Sequence, residues 1–382
     1  MRGNITRRGR ASWRLKFDTG RDAVTGKRQT RFVTVRGKRR DAERELARLL
    51  NDAHNDTLID PSKVTVAECI WTWLDGVHGL SPKTAERYRQ LAEQQILPHL
   101  DAIALQKLKP AHIQHWHATI ARSGGKDGRP LSARTVGHAH RVLHRALQRS
   151  VANEMLPRNV ASVIRPPKVE TEEVEILTSE HLKEVLGGLG EHPLYPIVAL
   201  ALATGMRRGE LLALRWDDLN LEKATVRVER SLEETKAGLR FKTPKTKHGR
   251  RVISLPPSSV NMLRVHRRRQ LELRIALGQG RQDPATLVFS NLEGGPLSPD
   301  KLSREWRRMS TARKLPKVKF HALRHTHASA LIAGGLDVLT ISRRLGHASP
   351  VVTLAIYGHL FRDTDVEAAS AIEVALRTSV ER

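Results

Sequence analysis

A single cysteine, Cys69, stands in 382 residues. An intrachain disulfide framework and any zinc site built from several cysteines are therefore excluded, which fits a reducing compartment. Cys69 is expected to be a buried small hydrophobe. No stretch reaches the roughly 18 uninterrupted apolar residues of a membrane span, and the basic opening segment lacks the apolar run of a secretory signal. The expectation is a cytoplasmic protein with no membrane partner. Aromatic residues make up only 4 % of the chain, with three tyrosines. Negative charge is scarce too: 40 Asp and Glu against 66 Lys and Arg leave a net charge of +26. Such an excess calls for an anionic partner, and nucleic acid is the leading class.

The length suits two or three domains, and the pattern divides into three parts. Residues 1–60 open with a net charge of +11 in the first fifty. There "ASWRLKFDTG" and "KRQTRFVTV" alternate polar and apolar residues around Gly-containing turn signals, which predicts a β-hairpin. A helix "RRDAERELARLLNDAH" follows with Asp41 as its expected N-cap. Trp13, Leu15, Phe17, Phe32, Val33 and Val35 offer a miniature core, and Arg14, Lys16 and Arg31 are candidate DNA contacts on a strand face. Residues 61–166 read as four or five helices, with start signals at Thr65 to Glu68, at Ser81 with Pro82, and at Ser132. Lys83, Arg87, Arg134 and Arg141 are candidate DNA contacts there, although a charged helix face is usually only solvated. "RPPKVETEEVEI", residues 165–176, interrupts the periodicity as a linker does. Residues 167–382 alternate helix and strand: "LTSEHLKEVLGGL" and "HPLYPIVALALATG" read as helices, "ATVRVERSL" and "RRVISLP" as strands, with helices beyond. The expected fold is thus multidomain: a small β-sheet-plus-helix module, an all-α domain, and a mostly helical α+β domain.

Four segments of the last part hold groups suited to phosphate chemistry. "LATGMRRGELLALRW" sets Arg207 at a turn entering a helix, with Glu210 three residues on. "FKTPKTKHGRRVISLP" gathers Lys242, Lys245, Lys247, Arg250 and Arg251 around a turn. "HALRHTHAS" puts His321, Arg324 and His325 on one helix face. Zinc is the weaker reading of these histidines, because no Glu stands between them as in HExxH and Arg324 repels a cation; an anion site is the better one. In "LGHASPVVTLAIYGH", Gly346 can end a helix and Ser349 with Pro350 can start the next, with Tyr357 two turns on. Taken singly, Arg207 reads as a surface residue and Tyr357 as core.

Together and in this order, the four segments resemble the tyrosine recombinases of the phage-integrase family. The resemblance covers about residues 175–360; the two preceding parts match the family's arm-binding and core-binding domains in layout. It implies that Arg207, Arg324 and His347 hold the scissile phosphate, that Lys247 protonates the leaving 5′-oxygen, and that Tyr357 is the nucleophile, with His321 accepting its proton. Glu210 would support Arg207. It further implies a 3′-phosphotyrosyl intermediate, no metal or other cofactor, a helical domain and a catalytic domain closing around DNA attachment sites, and a tetramer acting through a four-way junction. DNA-bending and excisionase-type accessory proteins, a bacterial nucleoid-associated location, and a C-terminal tail (364–378) docked on its own or a neighbouring subunit follow from the same resemblance. Three other readings are a DNA-binding regulator on the same scaffold, a type IB topoisomerase and a histidine-metal hydrolase. The intact set of six residues opposes the first and the basic N-terminal module opposes the second; the third predicts inhibition by chelators.

Overall fold

The computed structural model describes all residues except 1–2, 22–24, 56–57, 171–174, 245–246, 281, 316–317, 362–368, 371, 374–375 and 377–382, together with the side chains of 20, 21, 28 and 247. The chain forms two compact units, Met1–Glu170 and Thr171–Arg382. None of the described helices is long and apolar enough to cross a membrane.

In the first unit, strands β1 (Gly3–Gly9), β2 (Ser12–Arg21) and β3 (Arg28–Arg36) form an antiparallel sheet in that order. Helix α1 (Arg39–His54) packs on one face through Ala42, Leu46 and Leu49 against Leu15 and Phe17. The pairing of β2 with β3 matches the expected hairpin, and β1 adds a third strand that the sequence reading did not foresee. Register corrects two further expectations. Leu15 pairs with Val33 and Trp13 with Val35; since side chains alternate between faces, Phe32 must point to the open face. It is 52 % exposed, with the Arg14 guanidinium 4.2 Å from its ring centroid. Arg31 pairs with Phe17 and so shares the helix side of the sheet, where it meets Asp60 at 2.6 Å. Asp41 is not the N-cap of α1 either. Lys38 occupies that position, and its backbone N–H donates to Asp41 Oδ2 at 2.9 Å, one turn inside the helix.

The same unit continues with α2 (Val66–Gly76), α3 (Pro82–Leu91), the single turn α4 (Leu97–Leu100), α5 (Pro110–Ser123) and α6 (Ala133–Ala152). Caps explain where these helices begin. Thr65 and Glu68 satisfy each other's backbone N–H groups, and Ser132 Oγ accepts from the Thr135 N–H. Their apolar faces enclose Ile70, Ile113, Trp116, Val136, Leu143 and Leu147, all at most 1 % exposed. Cys69 is buried beside Ser150, and burial raises its thiol pKa despite that hydrogen bond.

The second unit runs α7 (Ser179–Leu189), α8 (Tyr195–Thr204), α9 (Arg208–Leu212), β4 (Leu219–Asn220), β5 (Thr225–Val228), β6 (Ser231–Thr235), β7 (Gly238–Lys242), β8 (Arg251–Ser254), α10 (Pro257–Ala276), α11 (Pro299–Ala312), α12 (Ala322–Ala333), α13 (Val338–Leu345) and α14 (Pro350–Tyr357). The stretch expected as one strand, "ATVRVERSL", is two: β5 lies in the sheet β4-β5-β8, whereas β6 pairs only with β7. The break falls at Glu229 and Arg230, where Arg230 Nη1 donates to both carboxylate oxygens of buried Asp218 at 3.0 and 2.9 Å. The main core joins α7, α8, α9 and α11 through Val185, Val198, Leu211 and Trp306. A smaller cluster of Ala328, Ile332, Ile341, Leu345 and Tyr357 ties α12 to α13 and α14. Most of the tail 364–378 lies outside the described residues.

Candidate active site

The site is built on the C-terminal end of α13. A helix leaves its last carbonyls without intrahelical partners and carries partial negative charge there. Three arginines from distant parts of the chain fill that need on successive residues. Arg251 Nε donates to the Arg344 carbonyl at 2.7 Å, Arg324 Nη2 to Leu345 at 2.8 Å, and Arg207 Nη2 to Gly346 at 2.9 Å. Gly346 closes the helix at φ +68°, and a Cβ there would stand 2.7 Å from Arg251 Nη1. Gly205 ends α8 at φ +63° for a like reason: a Cβ would lie 2.5 Å from His327 Cδ2, and its carbonyl accepts from Arg324 Nη1 at 2.6 Å.

Glu210 connects these guanidiniums. Only 4 % exposed, it accepts from Arg207 Nη1 at 2.8 Å and Arg251 Nη2 at 2.9 Å, and from the Arg207 backbone N–H at 3.0 Å. Burial pushes its carboxyl pKa up, but Arg251 and Arg207 outweigh that and hold it below the ordinary value. Arg207, 40 % exposed at its side chain, is thereby fixed while part of its fork faces solvent. Arg324 is buried, and burial followed by the field of Arg207 brings its pKa down to about 9, which leaves it charged at neutral pH.

His347 follows Gly346 directly. Its Nδ1 lies 2.8 Å from Oγ1 of Thr353, which is fully buried on α14. Thr353 and Tyr357 are one helical turn apart on the same face, so the ten-residue gap from His347 to Tyr357 is bridged by that contact. Tyr357 is 1 % exposed, and its hydroxyl lies 2.6 Å from Nδ1 of His325. This corrects the expected pairing: among the described contacts the hydroxyl meets His325, not His321. The two histidines share one face of α12, and Tyr357, packed with Ala328 and Ile332 further along that helix, lies level with the second of them. His321 stands exposed at the N-cap position of α12 without a side-chain capping bond, its ring 4.8 Å from that of His325.

Electrostatics follow from burial first and from the crowding of cations second. Burial raises the Tyr357 hydroxyl to about 12 even though Arg324 opposes the shift. His347 falls to about 4 through burial and then Arg324, Arg207 and Arg251. His321 is lowered as well, by desolvation of the part of its ring that faces the site and then by His325 and Arg324. The histidines are therefore neutral at pH 7, available as hydrogen-bond donors or acceptors, while positive charge resides on the arginines.

Arg207, Glu210, Arg324, His347 and Tyr357 are thus brought together, with His321 at the margin. Lys247 opens a short turn, Lys247–Gly249, leading into β8; its side chain, like the whole of Lys245, lies outside the described residues. Lys242 is held by an ion pair to Glu233 across the β6–β7 hairpin. Arg87, Arg134 and Arg141 cluster about His138, whose pKa is lowered by burial and then by all three; exposed Lys83 lies in the first turn of α3. Sequence reasoning placed Arg251 and His325 within the motifs but gave neither a role, and it did not name Thr353. Arg251 carried a signal in beginning a strand next to the lysine turn, and His325 in sharing a helix face with His321 and Arg324. Thr353 carried none. Among the described residues, no group of three or more His, Cys, Asp or Glu could hold a metal ion.

The chain is similar to known proteins over most of its length. Residues 174–363 match the phage integrase family, and residues 65–120 match the N-terminal SAM-like domain of phage integrases. A tyrosine recombinase XerC-like protein of Caldanaerobacter subterraneus subsp. tengcongensis is 28 % identical over 381 residues, covering 94 % of each chain. The ICEBs1 integrase of Bacillus subtilis is 25 % identical, over 94 % of this chain and 96 % of its own. Among solved structures, the Tn1549 transposon integrase with transposon right end DNA superposes with a TM-score of 0.69 at 20 % identity, over 82 % of this chain and 100 % of that one. The chain belongs to the phage integrase family of tyrosine-type site-specific recombinases.

Proposed function

We propose that this recombinase integrates or excises a mobile element by cutting each DNA strand with Tyr357 and storing the bond energy as a 3′-phosphotyrosyl link. The observation that carries the reading is the anchoring of Arg207 and Arg324 on adjacent carbonyls, with the Tyr357 hydroxyl within the field of Arg324. A phosphodiester repels nucleophiles, and two fixed guanidiniums offset the charge that grows on its non-bridging oxygens in the transition state. His321 and His347, neutral, donate hydrogen bonds to the same phosphate, Glu210 orients Arg207, and Lys247 protonates the departing 5′-oxygen. A 5′-hydroxyl from the partner duplex reverses the step, so neither ATP nor a metal ion is consumed.

Exchange of two strand pairs needs four nucleophiles, hence a tetramer on a four-way junction. Residues 61–166 act as a core-binding domain through Lys83, Arg87, Arg134 and Arg141, residues 167–382 as the catalytic domain, and residues 1–60 bind separate arm sites through Arg14 and Lys16. The net charge of +26 serves these contacts. The relative solved on transposon DNA and the integrase of B. subtilis support double-stranded attachment sites of a mobile element as the substrate.

The test is to incubate the protein with supercoiled DNA bordering its own gene and to trap covalent protein–DNA adducts with detergent. The wild type forms them and Tyr357→Phe does not. An adduct that persists in the Phe variant overturns the assignment, and binding without any adduct favours a DNA-binding regulator.

A further inference from the structure

The recombinase reading leaves His325 without a task, yet its Nδ1 is the atom 2.6 Å from the nucleophilic oxygen. A phenol attacking phosphorus must give up its proton, and a general base has to lie within hydrogen-bond reach of it, about 2.6 to 3.2 Å. Tyr357 is 1 % exposed, so bulk water has little access to that oxygen. We propose that His325 is the catalytic proton acceptor for Tyr357 during strand cleavage and returns the proton to the same oxygen during resealing. This inference rests on Tyr357 being the nucleophile.

The tautomer that accepts at Nδ1 carries its proton on Nε2. The titratable and charged groups facing the ring are His321 and Arg324 on its own helix α12, Tyr357 on α14, and His347 beyond α13. Among the described residues no carboxylate faces the ring. Burial and then Arg324 lower its pKa, which keeps it neutral at pH 7. The negative phosphate that enters with DNA stabilises the imidazolium once formed.

The step balances as follows. The Oη–H bond of Tyr357 breaks and its proton moves to His325 Nδ1 while the Oη–P bond forms; the P–O5′ bond breaks and O5′ takes a proton from Lys247. Resealing runs the same transfers backwards. His321, one turn away on the exposed side, is left as a phosphate ligand.

Single-turnover adduct formation by the full chain tests this, on the gene-bordering DNA used above, across a pH series and with and without free imidazole. His325→Ala is expected to slow adduct formation by about 10² to 10⁴-fold, to bind DNA as the wild type does, to lose the acid limb of the pH profile, and to recover rate in proportion to added imidazole. His325→Gln, which keeps a hydrogen-bonding group but takes up no proton, is expected to be equally slow. His321→Ala keeps the acid limb. A His325→Ala rate equal to wild type overturns the proposal, as does a loss that imidazole fails to restore while the acid limb persists. The recombinase reading is judged separately in the same experiment: it stands if wild type forms adducts and Tyr357→Phe does not, whatever the His325 variants do. No adduct from wild type overturns both.

Discussion

Replacing Arg251 by methionine removes one guanidinium from the arginine-capped helix end while keeping a side chain of comparable length. Arg251 and Glu210 are 7 % and 4 % exposed at their side chains and meet at 2.9 Å. Deleting one partner of a buried ion pair typically costs about 3 to 5 kcal/mol, because the other charge stays buried without compensation. Glu210 keeps Arg207 at 2.8 Å, but that guanidinium is 40 % exposed and partly screened by water. The expected cost therefore sits near the lower end, about 3 kcal/mol, more than a hundredfold in the folding equilibrium. Urea unfolding of the full chain reads this as a lowered midpoint with unchanged slope. The decisive comparison is the cycle with Glu210→Gln, which removes the orphaned charge. The double variant should be more stable than the two separate losses predict, with a coupling of about 2 kcal/mol. A loss under about 1 kcal/mol for Arg251→Met, or strict additivity with Glu210→Gln, refutes the reasoning.

Two further outcomes are expected. In the helical part, His140 and His117 are buried with ring nitrogens 3.2 Å apart, and burial lowers both pKa values, that of His140 to about 4. Folded and unfolded forms are both neutral above pH 6.5, so the contribution to stability is full there; it is lost as pH falls from 6.5 toward 4, where only the unfolded chain takes up protons. About 2 to 3 kcal/mol should disappear over that range, and His140→Leu should flatten the dependence of the urea midpoint on pH. On the N-terminal sheet, Arg14→Ala and Lys16→Ala should each reduce the slope of log affinity against log salt by about 0.9 in DNA titrations. Arg31→Ala should change it less, since its guanidinium is on the other face with Asp60; an equal change would show that the arm contact is not made by the open face.

Local physics was legible along the chain. Thr65 with Glu68, Ser132 and Thr178 mark helix starts because a capping hydroxyl acts within three residues of itself. The alternation of β2 and β3 shows in Leu15, Phe17, Val33 and Val35 because strand side chains repeat every two residues. The order of Arg207, Lys247, His321, Arg324, His347 and Tyr357 carried a resemblance to the tyrosine recombinases, and that resemblance implied phosphoryl transfer through a tyrosine.

Tertiary structure alone decided which groups meet. Arg207, Arg251 and Arg324 find three consecutive carbonyls at the end of α13 and its closing glycine across as many as 139 residues of chain. Composition gives no hint of this, because the acceptors are backbone atoms that exist at every position and become available only where a helix ends. Phe32 passed for core until register turned it outward, a one-residue choice that reverses every side chain of a strand. His321 and His325 are likewise equivalent in sequence, one turn apart on one face. The packing of Tyr357 beside Ala328 and Ile332 separates them, because a hydrogen bond depends on tenths of an ångström set by packing, and packing is what a linear pattern does not contain.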